Sequence, residues 1–427
     1  MKKKLLTLLM LTLLAAVFAA CGSDDTKEDT AEETGITDTK TEEESSAETA
    51  EVTTGETGTE ELSLEEQMIR DSLVSTGNNY RLNRFIEKAR AGEDVTVAFI
   101  GGSITEGYNA GTTEIYAKLV YDYLSGTYGT GDNVHYVNAG LSGTPSLLGL
   151  IRSERDVFSY EPDLVFVEFA VNDGSSAEDT LGFENLLRKA LLYESEPAVI
   201  VLYSVTEEGY NAQTNMAPIT WHYDLPSVSV KNAIWSHIED GTFLWKDWSN
   251  DSAHPNASGQ LLYSKFIISL IETMLAEEPD TSYDVSLESF KAKDYTGTCL
   301  VDRENNTDRI EITSLGDWAE QGDGVSAFSN GWLLPAGGEE AFTFTYTGTA
   351  LFLVYKDNAE NANYCTVDIY VDGEHVHELD GSTSDGWGNP VPAVIVTDKE
   401  STTHTVTIKR QDGSEGKFAV LGLSVCE

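Results

Sequence analysis

A change of hydrophobic period near residue 280 constrains the fold of this chain more than any other feature. Between about Leu64 and Glu278, short apolar runs alternate with helix-length amphipathic segments, whereas from about Ser282 apolar and polar residues alternate one by one. Strands that alternate with helices predict right-handed crossovers and a mostly parallel sheet with helices on both faces. Period two predicts antiparallel strands. We therefore expect an α/β domain followed by an all-β sandwich of the jelly-roll type.

The predicted elements follow these two patterns. In the first half, strands are expected at Val95–Ile100, Val134–Asn138, Leu164–Ala170, Ala198–Tyr203 and Phe243–Trp245. Helices are expected at Thr113–Tyr123, Leu181–Leu192, Val228–Ile238 and Ser258–Leu275. In the second half, Phe342, Phe344 and Tyr346 alternate with threonines, and Asp372-Gly373 predicts a two-residue hairpin turn.

The first 21 residues resemble the signal peptide of a bacterial lipoprotein. Three lysines from Lys2 are followed by an apolar run from Leu5 to Phe18 that is too short to favour a permanent membrane span, and then by Ala-Ala-Cys-Gly around Cys21. The resemblance implies lipid attachment at Cys21 and anchoring to the outer face of the cytoplasmic membrane. An ordinary secretory signal with a chance cysteine is the alternative.

An acidic spacer is predicted at residues 22–66. From Ser23 to Glu66 the chain has 17 Asp and Glu against 2 Lys, with almost no large apolar residues. Such a segment cannot bury enough surface to offset its chain entropy, so we expect it to be disordered and to hold the folded part away from the membrane. The folded domains are then predicted at residues 67–279 and 282–427.

Composition limits the partners and cofactors. The net charge of -45 argues against nucleic acid and anionic lipid as partners, and it is compatible with a neutral substrate such as a polysaccharide. Beyond Cys21, only Cys299, Cys365 and Cys426 remain, and they form neither a disulfide framework nor a metal-ligand spacing. A bridge between Cys299 and Cys426 is left open by the sequence.

Small and polar residues at predicted strand ends indicate an active crevice. Ser103, Asn138, Gly140 and Asn172 each end or closely follow a predicted strand. Since the carboxyl ends of parallel strands meet at one edge of a sheet, we expect all four there. Far downstream, the segment Asp251-Ser252-Ala253-His254-Pro255 places an acid and an imidazole three residues apart in a chain with only 7 histidines.

Together these residues supply the parts of a serine acyl-transfer site. Ser103 is the candidate nucleophile, His254 the candidate general base, and Asp251 the group that orients the imidazole. The backbone N–H groups of Ser103 and Gly143 and the side-chain amide of Asn172 are candidate donors to an oxyanion. A plain turn at Ser103 and a structural helix-start histidine are the alternatives, and the presence of the complete set argues against both.

Two other nucleophile or phosphate motifs are excluded. The Gly-x-Ser-x-Gly elbow of α/β-hydrolases is absent. A phosphate-binding loop requires Gly-Lys-Ser/Thr after its glycines, whereas Ser103 is followed by Ile-Thr-Glu.

Four segments resemble the blocks of the SGNH hydrolases, also called GDSL-like esterases, and occur in that family's order. They are Gly-Gly-Ser-Ile-Thr, Asn-Ala-Gly-Leu-Ser-Gly-Thr, Val-Asn-Asp and Asp-x-x-His-Pro. The resemblance implies a flavodoxin-like three-layer α/β/α domain and a serine esterase mechanism without a metal or other cofactor. It gives catalytic roles to Ser103, Gly143, Asn172, Asp251 and His254. Gly102 stands where the family's best-known motif has Asp, in a variant that resembles carbohydrate-active members.

We expect a surface-anchored esterase that removes O-acetyl groups from a polysaccharide. The sandwich resembles the jelly-roll partner of some two-domain carbohydrate esterases, although those often carry it before the catalytic domain. The alternatives are a lipid esterase or thioesterase near the membrane, and a carbohydrate-binding lipoprotein without catalysis. The sequence does not indicate an oligomeric state.

Two further groups of residues have open roles. Asp173 is expected to cap the segment that follows it rather than to act in catalysis. The remaining candidates are aromatic residues that either stack on sugar or only pack, namely Trp221, His222, Tyr223, Trp245, Trp248, Trp332 and Trp387.

Overall fold

The computed structural model describes residues 62–305 and 309–426. The predicted signal peptide with Cys21 and nearly all of the predicted spacer lie outside the described residues. Within them, the first helix begins at Leu64, slightly before the predicted domain start at residue 67. None of the described helices combines the length and hydropathy of a membrane-spanning segment.

The first half alternates helices and strands along the chain. Its helices are α1 (Leu64–Ser72), α2 (Tyr80–Ala91), α3 (Ser103–Glu106), α4 (Tyr116–Tyr128), α5 (Ser146–Asp156), α6 (Ala177–Leu192), α7 (Gln213–His222), α8 (Val230–Glu239), α9 (Trp245–Trp248) and α10 (Ala257–Ala276). Its strands are β1 (Leu73–Ser75), β2 (Val95–Gly101), β3 (Val134–Gly140), β4 (Leu164–Glu168), β5 (Ala198–Tyr203) and β6 (Ser227–Ser229).

These strands form one sheet with the predicted helices on both faces. The strand order is β1-β6-β5-β4-β2-β3, in which β2 to β6 are parallel and β1 is antiparallel. The parallel strands have the flavodoxin-like order. Successive residues of β2 face opposite sides, because Val97 and Phe99 join one apolar core while Ala98 and Ile100 join the other. The predicted α/β/α architecture is confirmed.

One predicted strand is wrong, and two short strands, β1 and β6, were missed. Leu244 is the N-cap residue of α9, which begins at Trp245, so Phe243–Trp245 is not a strand. The last parallel strand is instead Ser227–Ser229, which overlaps the start of the helix predicted at Val228–Ile238. Three residues are too few to show a strand period, and the side chain of Ser229 then caps α8 by accepting from the Asn232 N–H.

The second half is the expected all-β domain. Its strands are β7 (Cys299–Val301), β8 (Ile310–Ser314), β9 (Trp332–Leu334), β10 (Phe342–Ala359), β11 (Thr366–Val371), β12 (Glu374–Asp380), β13 (Ser382–Thr383), β14 (Asn389–Arg410) and β15 (Phe418–Cys426). Strand pairing is antiparallel except between β10 and β13.

Two long bent strands join the layers of this sandwich. The register of β10 against β14 shifts between Gly348 and Ala350, where both strands bend. Before the bend, β10 pairs with β8 and β14 pairs with β11. After it, β10 pairs with β15. Side chains such as Phe344 and Leu353 from the two segments meet in one core.

The sandwich packs on the α/β domain through helix α5. Leu148 and Ile151 of this helix share an apolar cluster with Phe352, Val354 and Leu421 of the sandwich. Every residue of β15 is buried, since one face of its layer covers the sandwich core and the other covers α5. Over the described residues, the two domains therefore form a continuous packed body.

The bridge that the sequence left open does not form. Cys299, Cys365 and Cys426 are all thiols. Antiparallel pairing of β7 with β15 places Val425 opposite Cys299, so neighbouring Cys426 points to the other face of the sheet.

Candidate active site

The candidate nucleophile lies at the carboxyl end of a central strand. β2 ends at Gly101, and Ser103 begins the four-residue helix α3 with only 8% of its surface exposed. A Cβ at residue 102 would lie 2.2 Å from the Asn172 Oδ1, so Gly102 allows Asn172 to pack directly beside the serine.

The structure brings the serine, histidine and aspartate together. His254 Nε2 lies 2.9 Å from Ser103 Oγ, and His254 Nδ1 lies 2.9 Å from Asp251 Oδ2. Because a carboxylate only accepts hydrogen bonds, Nδ1 carries the proton, and the Nε2 lone pair faces the serine hydroxyl. This is the arrangement that a serine nucleophile and its general base require.

Asp251 is held as a carboxylate by several donors. Its Oδ1 accepts from the N–H groups of Ala253 at 2.9 Å and His254 at 2.7 Å. Partial burial acts to raise the pKa of Asp251, but these hydrogen bonds and those from Asn109 and His254 outweigh it and keep the pKa well below its usual range. Asp251 is therefore a carboxylate at neutral pH.

Sequence reasoning missed Asn109. Its Nδ2 donates to Asp251 Oδ2 at 2.6 Å, on the same oxygen that faces His254. The residue adopts a φ of 54°, a left-handed conformation that asparagine tolerates better than most residues. The only sequence signal was its position in a turn that begins at Gly107. The sequence did not show that this turn would lie beside residue 251.

The loop that carries the acid and base is internally fixed. Ser249 Oγ donates to the His254 carbonyl at 2.6 Å, and Trp245 Nε1 donates to the Asp251 carbonyl at 2.7 Å. Asn256 then caps α10 by accepting from the N–H groups of Ser258 and Gly259. Trp245 thus supports the catalytic loop.

Besides the N–H of Ser103 at the end of β2, the candidate oxyanion donors come from the ends of β3 and β4, the two strands that flank β2. Gly143 lies exposed on the turn after β3 with a φ of 66°, and the Leu141 N–H ties this turn to the Gly101 carbonyl at 3.0 Å. Asn172 follows β4, with its backbone N–H on the Phe169 carbonyl at 3.0 Å. The Asn172 Oδ1 is buried against Gly102, which directs the amide NH₂ away from that glycine.

Asp173 caps a different helix from the one expected. Its Oδ1 accepts from the N–H of Ser146, the first residue of α5, at 2.8 Å. The following helix α6 has its own capping box between Ser176 and Asp179. Burial raises the pKa of Asp173 to about 7. The contact joins the Asn172 loop to the segment that follows Gly143.

Asn138 and Gly140 hold α3 against β3. The side chain of Asn138 donates to the Thr105 carbonyl at 2.8 Å and accepts from the Gly140 N–H at 2.9 Å. A Cβ on Gly140 would lie 2.1 Å from the Glu106 nitrogen, so this strand end must be glycine. Both residues therefore position the nucleophile's helix.

A buried acid beneath the site was also missed. Glu168 is the last residue of β4, and its Oε2 accepts from Thr105 Oγ1 at 3.3 Å. Burial raises the pKa of Glu168 to about 7. Glu168 ends a continuous apolar strand. The pattern of that strand did not show that the helix of Ser103 would lie against this side chain.

The aromatic residues divide between packing and the site. Trp248 and Tyr223 are core residues, and Trp332 is buried in the sandwich. Trp221 and His222 end α7, which runs from the carboxyl edge of the sheet towards the start of β6 at the opposite edge. These residues therefore lie away from Ser103.

Two exposed aromatic rings lie beside the site. Trp387 of the sandwich is 59% exposed, and a Cβ at Gly143 would lie 2.6 Å from its Cζ2. Tyr108, which sequence reasoning passed over, is 58% exposed with its ring centroid 5.0 Å from that of His254. A cavity of about 190 Å³ lies between Gly143 and residues 389–392 of β14.

Comparison with known proteins gives a family and a structural relative. Residues 99–262 match the GDSL-like Lipase/Acylhydrolase family. Two crystal structures of a two-domain esterase (CEX) active on acetylated mannans, one co-crystallized with mannopentaose, are each 26% identical to this chain, with TM-scores of 0.73 and 0.71. Each match covers 84% of this chain and 98% of the other, which is more than either domain alone provides. No curated protein gives a significant match.

Proposed function

Since residues 99–262 form a GDSL-like hydrolase domain of the SGNH type, and the chain is a carboxylic ester hydrolase, we propose that it removes O-acetyl groups from a polysaccharide outside the cytoplasm. The observation that carries the proposal is the contact of Trp387, from the accessory domain, with Gly143 of the catalytic domain. A sugar chain crossing Ser103 would touch both domains.

In the proposed reaction, His254 carries one proton from Ser103 to the leaving alcohol and then one proton from water back to Ser103. Ser103 Oγ bonds to the acyl carbon as its proton passes to His254 Nε2, and the carbonyl oxygen becomes an oxyanion facing Gly143 and Asn172. The bond to the alcohol oxygen then breaks as His254 returns the proton to it. Water attacks the acetyl-serine with His254 again as base, and acetate leaves as the serine hydroxyl is restored. Asp251 stabilises the imidazolium throughout.

The sugar substrate is supported by three observations. The matching two-domain esterase is active on acetylated mannans, and its likeness extends over both domains. Aromatic rings such as Trp387 offer the flat apolar faces on which pyranose rings pack. The charge of -45 also disfavours an anionic membrane surface as the substrate.

The decisive experiment measures acetate release by the purified protein from acetylated mannan, acetylated xylan and acetylated cell-wall glycan, beside esters of increasing acyl chain length. We expect release from at least one glycan, and loss of activity in Ser103→Ala and His254→Ala. Activity that rises with acyl chain length would favour a lipid esterase or thioesterase instead. Full activity in Ser103→Ala would overturn the mechanism.

We also propose that the chain is anchored by lipid at Cys21 to the outer face of the cytoplasmic membrane. The support is the basic, apolar and Ala-Ala-Cys-Gly segments of residues 1–22. Metabolic labelling with a fatty acid tests the anchor, since Cys21→Ser should lose the label and enter the soluble fraction. Equal labelling of both forms would refute it.

A further inference from the structure

The two sides of the catalytic serine face different parts of an ester. The carbonyl oxygen must point towards the oxyanion donors at Gly143 and Asn172. The alcohol oxygen must lie near His254 Nε2, because this nitrogen returns the proton to the leaving alcohol. A side chain beside His254 therefore contacts the alcohol part of the substrate.

Tyr108 is the exposed aromatic side chain in this position. Its ring makes an edge contact with the imidazole of His254, at 64° between the planes. Among the described residues, its hydroxyl has no hydrogen-bond partner, whereas the exposed Tyr210 uses its hydroxyl to bind the Asp173 carbonyl. The ring and hydroxyl of Tyr108 are thus both available to a ligand.

The backbone beneath this ring is fixed. The Tyr108 N–H donates to the Ser103 carbonyl at 3.0 Å, which ties the residue to the nucleophile's helix. Gly107 before it has a φ of 86°, and Asn109 after it is held by Asp251. The backbone that carries the ring is ordered before the substrate binds, so binding costs little conformational entropy there.

We propose that Tyr108 determines specificity for the alcohol part of the ester by packing on the sugar ring that carries the acetyl group. This inference rests on the proposed polysaccharide substrate. The apolar face of a pyranose packs on the tyrosine ring, and the free phenol hydrogen-bonds a neighbouring sugar hydroxyl. Tyr108 acts on substrate binding, whereas Asn109 acts on the base through Asp251.

The test compares two acetate esters that share an acyl group and differ in the alcohol. The full chain and its variants are assayed for kcat and KM on ethyl acetate and on an acetylated manno-oligosaccharide. Tyr108→Ala should raise KM for the sugar ester by about 3- to 10-fold, which is about 0.7–1.4 kcal/mol, and leave ethyl acetate within about 2-fold. Tyr108→Phe should keep the ring contact and most of the affinity.

Two control variants separate this role from folding and from catalysis. Tyr160→Ala removes an equally exposed tyrosine that precedes β4 at the opposite edge of the sheet, and should leave both esters unchanged. Asn109→Ala should lower kcat on both esters alike, because the base serves every alcohol. An equal loss on both esters in Tyr108→Ala, or no loss on the sugar ester, overturns the inference. A parent that hydrolyses ethyl acetate but no sugar ester overturns the proposed substrate, and with it the sugar contact.

Discussion

Replacing Glu168 by Gln should flatten the dependence of stability on pH. This carboxyl is fully buried at the end of β4, and Thr105 Oγ1, which lies 2.7 Å from the hydroxyl of Tyr116, also donates to its Oε2. Its other oxygen, Oε1, is also buried, and the side chain of Ser204 is a further donor beside the carboxyl. Gln keeps the size and the acceptor for Thr105 but cannot ionise, so the substitution isolates the effect of charge.

The magnitude follows from the shift in pKa. Burial raises the pKa of Glu168 from 4.5 to about 7, so the folded protein holds a proton that the unfolded chain has already released. The stabilisation is complete below pH 4.5 and is lost as the pH rises through 7. At about 1.4 kcal/mol per unit, the full loss is about 3 kcal/mol, of which about 2.5 kcal/mol falls between pH 5 and pH 8.

Urea unfolding at pH 5 and pH 8 measures this difference. The parent should lose about 2.5 kcal/mol more of its unfolding free energy between the two values than Glu168→Gln does. Asp173, whose pKa is also raised to about 7, remains in both proteins, so only its interaction with the Glu168 charge, a minor cause of its shift, differs between them. Parallel pH profiles for the parent and the variant would refute the claim that burial keeps Glu168 protonated.

Three further substitutions test the site. Asn172→Ala should lower kcat by about 10²–10³ with an unchanged circular dichroism spectrum, and a loss below 10-fold would remove Asn172 from the oxyanion site. Asp251→Asn should lower kcat by about 10⁴, since an Asn amide cannot accept from the donors on both oxygens of Asp251 and favours the wrong imidazole tautomer; near-parent kcat would contradict this role. Trp387→Ala should raise KM for acetylated polysaccharide while leaving ethyl acetate unchanged, and an unchanged KM on the polymer would show that the sandwich does not contact substrate.

Local sequence patterns were enough to predict the central strands and the main candidate catalytic residues. The strand at Ala198–Tyr203 was predicted with its observed bounds because a buried parallel strand is a continuous apolar run. Ser103 and Asn172 were placed correctly at strand ends, and the three-residue spacing of Asp251 and His254 was enough to suggest one loop.

What the sequence could not supply depends on contacts between distant segments. Asn109 meets Asp251 across 142 positions of the chain, and Trp387 reaches Gly143 from the other domain. Glu168 was missed because the predicted strand Leu164–Ala170 runs through it, and a position inside a strand does not show which side chains of another segment lie beside it. Phe243–Trp245 was misread because three apolar residues in a row do not distinguish a strand from a short helix.

The double-sided burial of β15 has a consequence for protein engineering. A chain cut after α10 would leave Leu148 and Ile151 of α5 facing water, and an isolated sandwich would expose Phe352, Val354 and Leu421. Each fragment would then expose an apolar patch that promotes aggregation. Transplanting the accessory domain onto another esterase therefore requires grafting the matching helix face as well, and point variants of Trp387 report on its role more cleanly than deletion of the domain.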